Sequence, residues 1–108
     1  MLFRSELTPP QLAEKLKGPN PPLLIDVRES HEYAYCRIEG AQLKPLGDIR
    51  QWIKELDLET EIVFQCHTGM RSAQATAYAQ SLGFKHVFNL RGGIDAWSAL
   101  VDPKVPRY

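Results

Sequence analysis

Glu61-Ile62-Val63-Phe64-Gln65-Cys66-His67-Thr68-Gly69-Met70-Arg71-Ser72 reads as an apolar strand, a tight loop and a helix start. The apolar run stops at a cysteine. Ser72 opens an alanine-rich segment, Ala73, Ala75, Ala77 and Ala79 with Tyr78, which Leu82-Gly83 ends. A loop curled around its first residue turns successive backbone N–H groups toward the sulfur, and the following helix adds the positive end of its dipole. Both favour an anionic sulfur. Two readings of Cys66 follow, a nucleophile or the buried end of a strand. Taken alone the cysteine fits the second; Gly69 and Arg71 downstream pull toward the first.

Working outward, the run Leu23-Leu24-Ile25-Asp26-Val27 is nearly all apolar, as expected of a central parallel strand covered on both faces. Asp26 near its carboxyl end is read as a hydrogen-bond acceptor that ties down the next loop, with Arg28 close at hand, in preference to a ligand contact. Thr8-Pro9-Pro10 predicts a helix N-cap and first turn. Leu12, Ala13 and Leu16 form the apolar stripe and Gly18-Pro19 the stop. Ser30 is expected to cap a short helix through Ala34, leaving Cys36 to Gly40 irregular and His31 on the surface. Ala41 to Leu43 reads as a short strand, and Lys44 to Gly47 as a turn. From Asp48 a helix is expected to carry Ile49, Trp52, Ile53 and Leu56, with Trp52 in the core. Phe84 to Leu90 is a further strand, Gly92-Gly93 turns into a helix bearing Ile94, Ala96, Trp97 and Leu100, and Asp102 to Tyr108 is an extended tail. Strands alternating with helices make an α/β fold whose sites gather at the carboxyl ends of strands. Three stretches share that address: those after Val27, after Gln65 and after Leu90.

A chain of 108 residues suits one domain, residues 1–108 with a core over about 8–100. Thirteen basic and thirteen acidic residues cancel, which argues against non-specific binding to nucleic acid or to a membrane surface. Two cysteines are too few for a disulfide-stapled secreted domain, so a reducing cytoplasm is expected. Met1 to Glu6 lack the apolar core of a signal peptide, and no apolar run reaches the length of a bilayer span. No second His or Cys stands at a spacing that would complete a metal site with His31.

Three motifs together resemble the rhodanese family of sulfurtransferases, over Thr8 to Leu100. Leu24-Ile25-Asp26-Val27-Arg28-Glu29, with Glu32-Tyr33 and then Ile38-Glu39-Gly40-Ala41, is similar to the family's first signature. Cys66 to Ser72 is similar to its active-site loop, and Leu90-Arg91-Gly92-Gly93-Ile94-Asp95-Ala96-Trp97 to its C-terminal signature. The resemblance implies a three-layer α/β fold with a mainly parallel central sheet flanked by helices.

It further implies a persulfide relay with no metal or other cofactor. Cys66 takes a sulfur from a donor such as thiosulfate and yields it to a thiophilic acceptor such as cyanide or a thiol. The expected partners are small-molecule donors and acceptors or a thiol carrier protein, with the chain acting as a monomer. The amides of His67, Thr68, Gly69, Met70, Arg71 and Ser72 would stabilise the sulfur. Gly69 supplies unusual backbone angles, Arg71 either holds an anionic donor or braces the loop, and His67 and Thr68 sit at the rim. His67 is not expected to be a general base.

One departure is Cys36-Arg37 before Ile38, where many relatives carry Gly-His. Cys36 is read as a packing residue, with a resolving partner for Cys66 as the sharper alternative. Cysteine-dependent phosphatases and arsenate reductases place one more residue between cysteine and arginine than the four here, so the loop suits a sulfur atom better than a phosphate. A non-catalytic rhodanese-like binding module is the remaining alternative; such modules tend to have lost the cysteine.

Overall fold

The computed structural model describes residues 5–108; Met1 to Arg4, part of the segment read as lacking a signal-like core, lie outside the described residues. Five strands form one sheet in the order β1-β5-β4-β2-β3, with every neighbouring pair parallel. They are β1 (Glu6–Leu7), β2 (Leu23–Asp26), β3 (Gln42–Leu43), β4 (Ile62–Gln65) and β5 (Val87–Leu90). Between them run α1 (Pro9–Lys17), α2 (Ser30–Tyr35), α3 (Ile49–Trp52) and α4 (Met70–Ser81), with α5 (Gly93–Leu100) after the last strand.

The apolar runs of β2 and β4 are nearly continuous because both faces of the sheet are covered. Leu24 and Val63 join Leu12, Leu90, Ile94 and Trp97 on one side, beneath α1 and α5. Ile25, Ile62 and Phe64 join Trp52, Ile53, Ala75 and Ala79 on the other, beneath α3 and α4. Alternation along each strand feeds two cores, and the result is three layers. Small side chains on α4 permit its close approach, with Ala75 and Ala79 fully buried. Trp52 is a core residue, its indole Nε1 donating to the Pro45 carbonyl at 2.8 Å.

Sheet order places the functional end. From β2 the chain moves outward to β3, and from β4 it moves the opposite way to β5. The connections leaving β2 and β4 therefore diverge and leave a crevice at their carboxyl ends. Val27 N–H still donates to the Gln65 carbonyl at 2.9 Å, so the two strands stay joined up to the crevice floor.

Local differences from the sequence reading have simple causes. Helix α2 is capped by Glu29, one residue before Ser30, because the Glu32 carboxylate accepts the Glu29 N–H at 2.9 Å. Helix α4 opens at Met70, not Ser72, since Gly69 at φ +103° already turns the chain. The helix expected from Asp48 is a single α turn, Ile49–Trp52, between 3₁₀ turns at Leu46–Asp48 and Ile53–Glu55; so short a segment gains few i→i−4 bonds. Strand β5 begins at Val87 because Phe84 N–H is engaged by the Ala79 carbonyl as α4 closes. The two-residue β1 carries too little pattern to read from sequence. The cap of α1 stands as expected, with Thr8 and Gln11 exchanging bonds at 3.3 and 2.9 Å.

Candidate active site

Cys66 follows β4, the middle strand, and is 1% exposed. Its Sγ accepts from Gly69 N–H at 3.1 Å, Ser72 N–H at 3.4 Å and Ser72 Oγ at 3.3 Å. The cradle is thus two amides and a hydroxyl, narrower than the whole run of loop amides expected from sequence. Ser72 lies in the first turn of α4, where N–H groups lack intrahelical partners and the helix dipole favours negative charge.

The loop is held from behind by β5 and α5. Ile94 N–H donates to the Cys66 carbonyl at 2.8 Å and Asp95 N–H to the His67 carbonyl at 3.0 Å, so the N-terminus of α5 satisfies both loop carbonyls. Asn89 Nδ2 donates to the Gly69 carbonyl at 3.1 Å. Gly93, at φ +61°, lies so close that a Cβ there would overlap the Cys66 oxygen and come within 2.6 Å of the His67 carbonyl carbon. This contact accounts for the second glycine of Gly92-Gly93: the close approach leaves no room for a side chain.

Two carboxylate–guanidinium pairs flank the loop. Asp26 and Arg28 are both fully buried; the Asp26 carboxylate accepts from Arg28 N–H, Nε and Nη2 at 2.7 to 3.1 Å. Arg28 Nη2 also donates to the Cys36 carbonyl at 2.6 Å. Burial opposes the Arg28 charge, but the bonds to Asp26 and Tyr108 outweigh it and raise its pKa. Asp26 therefore has the tying role read from sequence. The second pair is Arg71 with Glu32, Nη1 to Oε1 at 2.7 Å and Nη2 to Oε2 at 3.0 Å. Hydrogen bonding by Arg71 is the main force lowering the Glu32 pKa to about 2, against the opposing effect of burial. Of the two roles left open for Arg71, this bidentate bond is the bracing one.

The remaining loop residues spread outward. Thr68 is exposed and Met70 is 75% exposed, neither near the sulfur by hydrogen bonding. His67 is half-buried; its ring lies flat against Tyr108, with centroids 3.9 Å apart and planes 7° apart.

Three residues at the site carry contacts that the sequence reading did not assign. Glu32 meets Arg71 across 39 positions, a separation with no local signal. Asn89 sits in a strand as an ordinary polar position. Tyr108 ends a segment read as an extended tail; that segment instead turns over Asp102–Val105, buries Val105 against the α1–α5 side, and returns to the site. Its Ser98-to-Val105 bond, 2.6 Å, and the Asp95–Arg107 ion pair, 2.9 Å, fasten it along α5.

A Rhodanese-like domain model matches residues 8–100. The chain belongs to the rhodanese-like domain family. It is similar to the putative sulfurtransferase YtwF of Bacillus subtilis (strain 168), 39% identical over 99 residues covering 92% of this chain and 95% of that protein. It is 37% identical over 75 residues to the putative sulfur carrier protein YrkF of the same bacterium, covering 69% of this chain and 40% of YrkF. Against a longer chloroplastic relative the chain spans 30% of the length. Among solved structures, the human single-domain sulfurtransferase TSTD1 superposes with a TM-score of 0.78 at 29% identity, over 89% of this chain and 96% of that one. Relatives named as sulfurtransferases support sulfurtransferase activity for this rhodanese-type chain. No helix among the described residues is long and apolar enough to cross a membrane.

Proposed function

We propose that this rhodanese-like chain transfers a sulfane sulfur from thiosulfate or a related donor to a thiophilic acceptor through a persulfide on Cys66. The observation that carries this reading is the set of three donors on one buried sulfur, from Gly69 N–H, Ser72 N–H and Ser72 Oγ. Each half-reaction needs an anionic sulfur, first as nucleophile and then as leaving group, and such donors stabilise both.

In the first step the Cys66 thiolate attacks the outer sulfur of thiosulfate. A Cys66 S–S bond forms, the donor's S–S bond breaks, and sulfite leaves with the electron pair. In the second, cyanide or a thiolate attacks the terminal sulfur, the Cys66 S–S bond breaks, and the thiolate returns as thiocyanate or a new persulfide departs. No proton transfer by His67 is required. The acceptor is a small molecule or the cysteine of a carrier protein, in keeping with the carrier-named relative, and the setting is a reducing cytoplasm with the chain as a monomer.

Thiocyanate formation from thiosulfate and cyanide tests the reading, with the Cys66→Ser protein beside the wild type. Mass spectrometry of the thiosulfate-treated protein should find one added sulfur on the peptide bearing Cys66. Equal thiocyanate formation by Cys66→Ser, or a persulfide only on Cys36, overturns the assignment.

A further inference from the structure

Tyr108 has more polar and aromatic partners than any other residue of its segment. Its hydroxyl donates to Glu32 Oε2 at 2.8 Å and accepts from Arg28 Nη1 at 2.8 Å. Its ring stacks on His67, meets Tyr35 edge-on at 5.9 Å, and lies 5.8 Å from the Arg28 guanidinium. His67, on which the ring stacks, directly follows Cys66, and Glu32, which accepts from the phenol, also accepts from Arg71, so the phenol lies against the loop that carries the sulfur. The segment that delivers Tyr108 has no regular secondary structure, yet Val105 and Arg107 fix it to α5. Glu32 thus holds the loop brace, Arg71, with one hand and Tyr108 with the other. Cys66, next to the stacked His67, is 1% exposed, whereas a sulfur that exchanges with external donors must be reached by them.

We propose that the strap ending in Tyr108 is a gate over Cys66, closed by the Arg28–Tyr108–Glu32 bridge and the His67 stack, and that substrates gain access when Tyr108 swings out. Opening leaves the cradle intact, because its donors belong to Gly69 and Ser72 and its braces to α5 and Asn89. It breaks two hydrogen bonds to charged groups and one ring stack. Tyr108 is then a specificity-determining residue: it limits how often a small donor meets the sulfur, while an acceptor large enough to displace the strap opens it on docking. The inference rests on Cys66 being the reacting sulfur, but its test does not require sulfur transfer.

The probe is iodoacetamide, small and uncharged, applied to the full chain at fixed neutral pH, with each cysteine's alkylation followed by peptide mass spectrometry. Tyr108→Ala is expected to raise the Cys66 rate by about tenfold, the scale set by losing one or two charge-assisted hydrogen bonds at a partly exposed site. Tyr108→Phe, which keeps the stack and loses both bonds, should fall between. Cys36 shares Arg28 Nη1 with Tyr108, so general loosening is read instead from amide hydrogen exchange along β4, which should keep its wild-type rate. An unchanged Cys66 rate in both variants overturns the gate, as does a rise matched by an equal acceleration of amide exchange along β4. Should Tyr108→Ala not fold, Tyr108→Phe and Arg107→Ala decide in the same terms, since Arg107 is an exposed anchor of the strap. Absent thiocyanate formation with faster Cys66 alkylation would sink the sulfurtransferase reading and keep the gate; the reverse pattern would do the opposite.

Discussion

Cys66 and Cys36 are both free and both buried, at 1% and 7% exposure, yet their surroundings differ in kind. Cys66 accepts from two amides and a hydroxyl at 3.1 to 3.4 Å at the head of α4. Cys36 sits at the end of α2, where the one donor its sulfur meets among the described residues is Arg28 Nη1 at 3.9 Å and its backbone does the structural work, giving its carbonyl to the same guanidinium. The two side chains pack into different core clusters, on opposite sides of the sheet. Burial therefore does not separate the thiol proposed to carry sulfur from the one read as packing. What separates them is the number of donors aimed at the sulfur, and that is set by backbone geometry.

The comparison breaks most sharply by exchanging each cysteine. Cys66→Ser should abolish thiocyanate formation, while Cys36→Ser should keep wild-type kcat/KM. Loss of activity in both variants would make Cys36 a resolving partner after all. A second large effect comes from behind the cradle. Gly93→Ala forces a Cβ against the Cys66 carbonyl at a left-handed φ, so it should cost at least about 2 kcal/mol of stability and most of the activity. Chemical denaturation and thiocyanate assays on one preparation measure both; an active, stable Gly93→Ala protein would show that α5 does not hold the loop.

Much of this site was legible before the structure, for reasons that differ by residue. Cys66, Gly69 and Ser72 are close in sequence, so strand, loop and helix patterns place them together. Asp26 and Arg28 also bond locally, two positions apart. Gly93 shows in the sequence as a turn, but its contact with Cys66 depends on β5 lying beside β4. Glu32 and Tyr108 were not legible as site residues. Their bonds to Arg71 and Arg28 span 39 and 80 positions and arise only once the crevice between β2 and β4 has formed. A tyrosine in an irregular segment with two prolines carries no period from which a return path could be read. The fold was legible for a related reason: α/β alternation is a local pattern, whereas the short edge strand β1 and the broken α3 depend on tertiary pairing.

Smaller substitutions sharpen the contrast between the two thiols. Ser72→Ala removes the hydroxyl donor and leaves both amides, so thiosulfate kcat/KM should fall by about tenfold, at the lower end expected for a bond to a charged group. No change would mean that the amides alone set the reactivity of Cys66. Cys36→Ser acts on stability instead. A hydroxyl placed in the α1–α5 core should cost about 1 kcal/mol and lower Tm by roughly 5 °C, with activity kept. Thermal unfolding of this variant beside Ser72→Ala separates packing from chemistry.

The effect with the clearest shape belongs to the brace between Glu32 and Arg71. The Glu32 carboxyl titrates near pH 2 in the folded protein, against an ordinary value of 4.5, chiefly because Arg71 donates to it. A folded pKa below the unfolded one means that the unfolded chain binds the proton first as acid is added. The stabilisation is complete above about pH 4.5 and drains away as pH falls toward 2. Arg71 stays protonated throughout, so the carboxylate alone sets the window. Glu32→Gln should therefore lower Tm by a constant amount from neutrality down to about pH 5, and the gap to the wild type should close between there and pH 2. The same variant weakens the acceptor of the Tyr108 hydroxyl, so Cys66 alkylation at neutral pH should rise while the melting difference is at its largest. A Tm gap that persists unchanged at pH 2 would assign the effect of Glu32→Gln to packing around α2, and would leave Arg71 free to meet an anionic donor.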